Sequence, residues 1–240
     1  MSLVFKKSPI RNQPYIDYSL WLYDVYNHYF KEKHDGFLVE LGVGKTIDWV
    51  SMNESPRLLT EEEFKAKHVR GWSNTIELLE NGWSGIYVEP ITEFLTNELS
   101  PLLQTILPKE QFDKIKLCPY AASNSNHIAK IIDCETISIV NEQGNNLNNI
   151  PYDYKNRFIK CKKTSDILEE VNCPRDIDIM SIDVEGHELH AIAGIDFAKH
   201  RPKMIICEII PISVDDISKL LPLEYKLIAK DYLNGVWIDS

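Results

Sequence analysis

Apolar residues cluster along the chain in short continuous runs rather than in strict alternation. The runs are GFLVELGVG (36–44), SGIYVEP (84–90), KIKLCPYAAS (114–123), IDIMSID (177–183) and KMIICEII (203–210). Runs of this length and β-rich composition predict central parallel strands covered on both faces. Between them the pattern turns helical. SNTIELLENGW (73–83) offers Ser73 or Asn74 as N-cap, Glu77 three residues after Asn74, and Gly82 as the stop. A second helical stretch runs from Ile91 to about Leu107, and ELHAIAGIDF forms another between the last two runs. IDYSLWLYDVYNHYFKE (16–32) reads as an aromatic-rich helix that packs on the core.

Strand, glycine turn, helix and strand in repetition predict a doubly wound α/β domain. The closing EYKLIAKDYLNGVWIDS departs from this alternation. Two β segments meet near Asn234-Gly235, a hairpin signal that makes the final strand antiparallel. Two other segments break the alternation, Lys45 to Trp72 and the polar loop 141–156, and both read as excursions at the rim of the sheet. The 240 residues suit a single domain, with 1–35 as an N-terminal helical extension.

Charge narrows the range of partners. Lys and Arg number 26 against 36 Asp and Glu, a net charge of −10, which disfavours a protein that neutralises phosphates, so nucleic acid is not expected. The five cysteines, Cys118, Cys134, Cys161, Cys173 and Cys207, are widely spaced without a C-x-x-C pair. They read as reduced, structural thiols. The first residues lack the apolar stretch of a secretory signal, and no run approaches the ~18 residues of a membrane span. A soluble, cytoplasmic protein is expected.

Ligands of open α/β sheets bind outside the carboxyl ends of the strands, where this chain places Glu40 to Gly44, Glu89, Asp183 to Glu185, and Glu208. A dinucleotide fingerprint fails because Ile47 stands where the third glycine belongs. A phosphate loop fails at Val39, where its first glycine belongs. A glycine pair preceded by an acid, with a second acid ending the next strand, suits a nucleoside without a pyrophosphate. Glycines admit the ligand close to backbone, and the Glu89 carboxylate can accept from two ribose hydroxyls. S-Adenosylmethionine has that form.

The blocks VELGVG, SNTIELLENGWSGIYVEP, TSDILEE, DIDIMSIDVEGHELHAIAGI, RPKMIICEI and YKLIAKDYLNGVWI resemble the FkbM-type S-adenosylmethionine-dependent methyltransferases, in the family's order. The resemblance implies a class I methyltransferase fold: a Rossmann-like, mostly parallel seven-stranded sheet with an antiparallel last strand and helices on both faces. It also implies cofactor contacts from Glu40, Gly42 and Gly44, ribose binding by Glu89, and a functional role for Asp183 and Glu185. The implied reaction is O-methylation of a hydroxyl on a sugar, glycan, lipid or natural product. One departure is visible: 28 residues, Lys45 to Trp72, separate the glycine turn from the SNT helix. They read as a lid or substrate-specific rim.

Methyl transfer to an alcohol needs alignment of oxygen, methyl and sulfur, plus a base or a metal to handle the acceptor's proton. Asp183 is the first candidate for base or metal-facing carboxylate. Glu185 joins it if the chain stays extended; otherwise Glu185 and Glu188 serve the positive start of the following helix. His187 is a candidate proton acceptor or metal ligand, or a solvated helix-start residue. Glu208 is a metal or substrate ligand together with Asp183, or an ion-pair partner of Arg201 or a lysine. Asn74 either caps its helix or faces the cofactor, and Ala121 is a further cofactor-binding candidate. Two rivals stand beside the enzyme: a catalytically silent methyltransferase-like binding module, and an NAD- or nucleotide-sugar-binding enzyme weakened by the missing third glycine.

Overall fold

The computed structural model describes residues 25–26, 28–30, 33–44, 73–134, 137–140, 155–230 and 232–240. The continuous apolar runs become strands β1 (Phe37–Leu41), β2 (Ser84–Val88) and β3 (Lys116–Cys118). Four shorter or more polar strands follow: β4 (Ala121–Ser123), β5 (His127–Cys134), β6 (Ile137–Val140) and β7 (Lys155–Lys163). The chain then returns to apolar β8 (Asp176–Ile182) and β9 (Arg201–Glu208), and ends with β10 (Tyr225–Lys230) and β11 (Asn234–Asp239).

Seven of these strands form one sheet in the order β10-β11-β9-β8-β1-β2-β3. Pairing is parallel from β9 through β8, β1 and β2 to β3, and β11 runs antiparallel to both β9 and β10. This is the mostly parallel sheet with a reversed last strand expected from the sequence. Six of the seven β8 residues and four of the five in β1 are buried, which explains why neither strand alternates.

Among the described residues, the helices whose bounds are defined are short and lie on both faces. They are α1 (Ile76–Glu80), α2 (Thr92–Phe94), a π-helical turn (Leu95–Leu99) leading into α3 (Ser100–Ile106), α4 (Lys109–Phe112), α5 (Thr164–Glu170), α6 (Glu188–Ala193) and α7 (Val214–Leu220). On one face Ile76, Leu79, Leu99 and Leu103 pack with Leu38, Tyr87, Ile179 and Ile206, joined by Tyr26, Phe30 and Trp83. On the other, Ile167, Leu168, Ala191, Ile192 and Ile217 cover Val39, Leu41, Met180, Ile205 and Trp237. Burial of each fully enclosed Leu or Ile stabilises the fold by about 1.5 to 3 kcal/mol before chain entropy is subtracted.

Several expectations need correction. KIKLCPYAAS is not one strand: β3 stops at Cys118, and β4 starts at Ala121 in a separate four-stranded sheet of order β4-β7-β5-β6. Pro119, which lacks an amide proton, stands at the break. Asn234-Gly235 does not form the hairpin turn. Both residues pair with Glu208 and Cys207 as the start of β11, and the bend falls at Tyr232 and Leu233. Helix α1 has Thr75 as N-cap instead of Ser73 or Asn74, while the Ser73 hydroxyl accepts from the Thr75 and Ile76 amides. Helix α6 ends at Ala193, short of the expected 197. The side chain of Glu77, residues 45–72, and nearly all of 141–156 lie outside the described residues, as does most of the expected helix 16–32. What is described of that helix is helical, with Tyr26 and Phe30 buried one turn apart.

At the amino ends of the strands, buried Asp178 holds the sheet to its flank. It accepts from Lys33 at 2.8 Å, Lys203 at 3.0 Å and the Phe37 amide at 2.9 Å. Burial pushes its carboxyl up, but these donors outweigh that and hold it below the ordinary aspartate value.

Candidate active site

The carboxyl ends of β1, β2 and β8 meet at Gly42. Its amide donates to the Val88 carbonyl at 2.8 Å, and a Cβ there would stand 1.7 Å from the Asp183 carbonyl oxygen, in a backbone with φ +82°. Only glycine fits. Gly44 also has positive φ, +61°, but among the described residues nothing lies within 4 Å of where its Cβ would be. Gly44 is half-buried, and the space on its Cβ side leaves room for a ligand.

Glu89 completes this corner. Its Oε2 accepts from the Gly44 amide at 3.0 Å, its Oε1 from the Ile91 amide at 2.9 Å, and its own amide donates to the Cys118 carbonyl at 3.0 Å. The carboxylate is buried, and a carboxylate oxygen carries two lone pairs and can accept more than one hydrogen bond.

Glu40 is turned elsewhere. It accepts from the Ser73 hydroxyl at 2.7 Å, the Asn74 amide at 2.9 Å and the Thr75 hydroxyl at 2.5 Å, so it pins the start of α1 to β1. Asn74 is held on both sides, its carbonyl by the Tyr26 hydroxyl at 2.8 Å and its side chain by the Ser181 hydroxyl at 3.3 Å. Asn74 therefore does not cap α1. Ser73, Thr75 and Ser181 are partners that the strand-end reading passed over, although the SNT block carried the polar signal. Ala121 is buried at the start of β4, in a small cluster with Ala129, Ile131, Ile159 and Cys161.

Beyond Asp183 the chain enters a tight turn, with Glu185 at φ +55° and Gly186 at φ +90°. A left-handed non-glycine residue costs of order 1 kcal/mol, so Glu185 holds a strained position. Glu188, at the first position of α6, folds back over the turn: its Oε1 accepts from the Val184 amide at 2.9 Å and the Gly186 amide at 3.0 Å. Glu208 arrives from the end of β9. It does not pair with Arg201, which instead contacts Asp239 at 2.7 Å and Glu224 at 3.7 Å.

Crowded acids hold on to protons. Burial, then Glu208, Glu185, Glu188 and Glu40, raise Asp183 well above the ordinary value. Burial and Glu188 push Glu185 up to about 7; burial, Glu185 and Glu188 push Glu208 up to about 7, against the opposing effect of its hydrogen bond with Asp183. Burial also raises Glu188, partly opposed by the backbone amides it accepts from. Asp183, Glu188 and Glu208 each offer one oxygen within 4.8 Å of the others. Such a set can take up a proton or hold a hard cation.

His187 is buried at the N-cap of α6. Its Nε2 lies 3.2 Å from the Ser123 hydroxyl, and its ring stacks on His190 with centroids 4.3 Å apart. The Ser123 contact ties α6 to β4. The structure thus gathers Gly42, Gly44 and Glu89 at one corner and Asp183, Glu185, Glu188 and Glu208 beside it, while Glu40 and Asn74 fix the neighbouring helix.

The family model described as the methyltransferase FkbM domain matches residues 56–227. A crystal structure of the methyltransferase FkbM from Methylobacillus flagellatus is similar at 14% identity and a TM-score of 0.48. The match covers 88% of this chain and 46% of that one, so the chain spans about half the length of that protein. A search of curated protein sequences returns no match.

Proposed function

Since the chain belongs to the FkbM methyltransferase family, we propose that it methylates a hydroxyl oxygen of a sugar, glycan, lipid or natural-product acceptor, using S-adenosylmethionine. The observation that carries the cofactor assignment is the corner between Gly44 and Glu89. An open, positive-φ glycine stands within hydrogen-bond distance of a buried carboxylate at the end of the adjacent parallel strand. Those residues fit a nucleoside: open backbone at Gly44 admits it, and Glu89 accepts from its ribose hydroxyls. The absence of a third glycine argues against a pyrophosphate ligand.

The cofactor would supply an electrophilic methyl group on a sulfonium. The chain's own residues do the rest. Glu89, oriented by the Gly44 and Ile91 amides, fixes the ribose; Gly42 lets the ends of β1, β2 and β8 close together; and Asp183 faces the acceptor, where its ionised carboxylate accepts the hydroxyl proton, a cation held there serving only to make that hydroxyl more acidic if one is bound. Glu185 stands beside Asp183 as a second carboxylate. His187 and Asn74 act through the elements they fix, and Glu40 does so by holding Ser73 to Thr75.

A cytoplasmic setting is part of the same reading. Among the described residues no helix is long and apolar enough to cross a membrane, and Cys118, Cys161, Cys173 and Cys207 are free thiols, as reducing conditions favour.

Calorimetry tests the cofactor half, with S-adenosylmethionine and S-adenosylhomocysteine titrated into wild type and Glu89→Ala. Binding by wild type with loss in the variant is expected; absence of binding in both sinks the proposal. Transfer of a radiolabelled methyl group to a panel of polyhydroxylated acceptors tests the second half. A cofactor-binding protein that labels none of them would be the silent module instead.

A further inference from the structure

We infer that Asp183, Glu188 and Glu208 form a binding site for one hard divalent cation, with Glu188 as its fixed, buried ligand. Acids gather on protein surfaces for many reasons, and proximity alone does not make a cation site. The decisive feature is Glu188. Its side chain is fully enclosed, and its Oε1 is committed to the Val184 and Gly186 amides. Its Oε2 is buried with no hydrogen-bond partner. A buried carboxylate oxygen left without a donor is strongly unfavourable unless something positive meets it.

The chain supplies no such charge among the described residues. Among the described residues no ion pair involves Asp183, Glu185, Glu188 or Glu208, although lysines and arginines pair with acids elsewhere. Oxygens of Asp183 and Glu208 stand within 4.8 Å of one from Glu188, and each comes from a different backbone support: the end of β8, the start of α6 and the end of β9. Three all-oxygen, anionic ligands select a hard ion over zinc or copper.

Glu185, held in its strained turn next to the cluster, adds negative field without being one of the three. If the methyl-transfer reading holds, the cation would also acidify the acceptor hydroxyl, but the site itself rests on the three carboxylates and the orphaned oxygen of Glu188.

The test is a manganese titration followed by electron paramagnetic resonance on the full chain after chelator treatment, with calcium and magnesium as competitors. S-Adenosylhomocysteine calorimetry runs in parallel on the same preparations. Wild type should bind one Mn2+ per chain and release it to excess calcium or magnesium. Glu188→Gln and Glu208→Gln should each weaken binding by about 10-fold or more while the adenosyl ligand still binds. Glu208→Gln guards against a folding artefact, because Glu208 caps no turn. Failure of wild type to bind Mn2+ at millimolar concentration, or equal binding in wild type and both variants, overturns the site. Mn2+ binding without any adenosyl binding would leave the site standing and overturn the cofactor assignment.

Discussion

The carbonyl oxygen of Asp183 sits 1.7 Å from where a Cβ on Gly42 would be, so the end of β8 and the glycine turn occupy each other's space as closely as backbones can. Gly42→Ala should therefore do more than strain one residue. It must push β8 away from β1, at a cost of about 3 kcal/mol or more from overlap and positive φ together. Gly44→Ala meets no such obstacle and should cost only about 1 kcal/mol of stability. Thermal melts of the two variants check the ranking, and equal losses would contradict it.

Glu89→Gln is nearly isosteric, but an amide has one acceptor oxygen where two backbone donors, Gly44 and Ile91, now point. One buried amide loses its partner. Stability should fall by about 1 to 3 kcal/mol, and S-adenosylhomocysteine affinity by at least about 10-fold, or 1.4 kcal/mol. Calorimetry and chemical denaturation on the same sample separate the two effects.

Glu185 offers a different test, because its left-handed backbone suits glycine better than glutamate. Glu185→Gly removes both the strain and one charge from a crowded acidic group. The melting temperature should rise by about 2 to 4 °C for each kcal/mol recovered, while methyl transfer falls. A stabilised variant with unimpaired turnover would show that the strained carboxylate has no part in the reaction.

Acid sensitivity should trace to Asp178. Its folded-state carboxyl is held below the ordinary value of 3.8, so the unfolded chain takes up the proton first. The stabilisation is fully present above that value and is lost as pH falls through the lower, folded one. Asp178→Asn should lower stability at neutral pH and flatten its decline below about pH 4. Denaturation midpoints from pH 7 down to about 2.5 for both proteins check this.

Much of the main sheet was legible because buried parallel strands announce themselves as unbroken apolar runs. IDIMSID and KMIICEII became β8 and β9 with only small changes at their ends. The second sheet was not legible, since β5 and β7 mix lysines with Ala129, Ile131, Ile159 and Cys161 and leave Ile128 and Phe158 exposed. Strand-end logic placed Glu89 and Asp183 just past the carboxyl ends of β2 and β8, because the carboxyl end of a parallel strand has a fixed address in the fold. It could not divide the labour among acids. Glu40 looks like Glu89 in sequence, yet lies across from the SNT residues that take its oxygens, and Glu188 reveals its free oxygen only after the turn at 184–186 is drawn.

The register of the central strand has a consequence for how the protein is made. The Phe37 amide binds an Asp178 carboxylate 141 residues further along, and β1 pairs with β8 across the same separation. The loop that must close is long, and its ordering cost is met before any of the central ladder rewards it. Folding should be slow for a chain of this size, and on the ribosome the sheet's centre must wait until most of the sequence has emerged. During that wait β1 and β2, both almost wholly apolar, are the segments most exposed to aggregation and to chaperone capture.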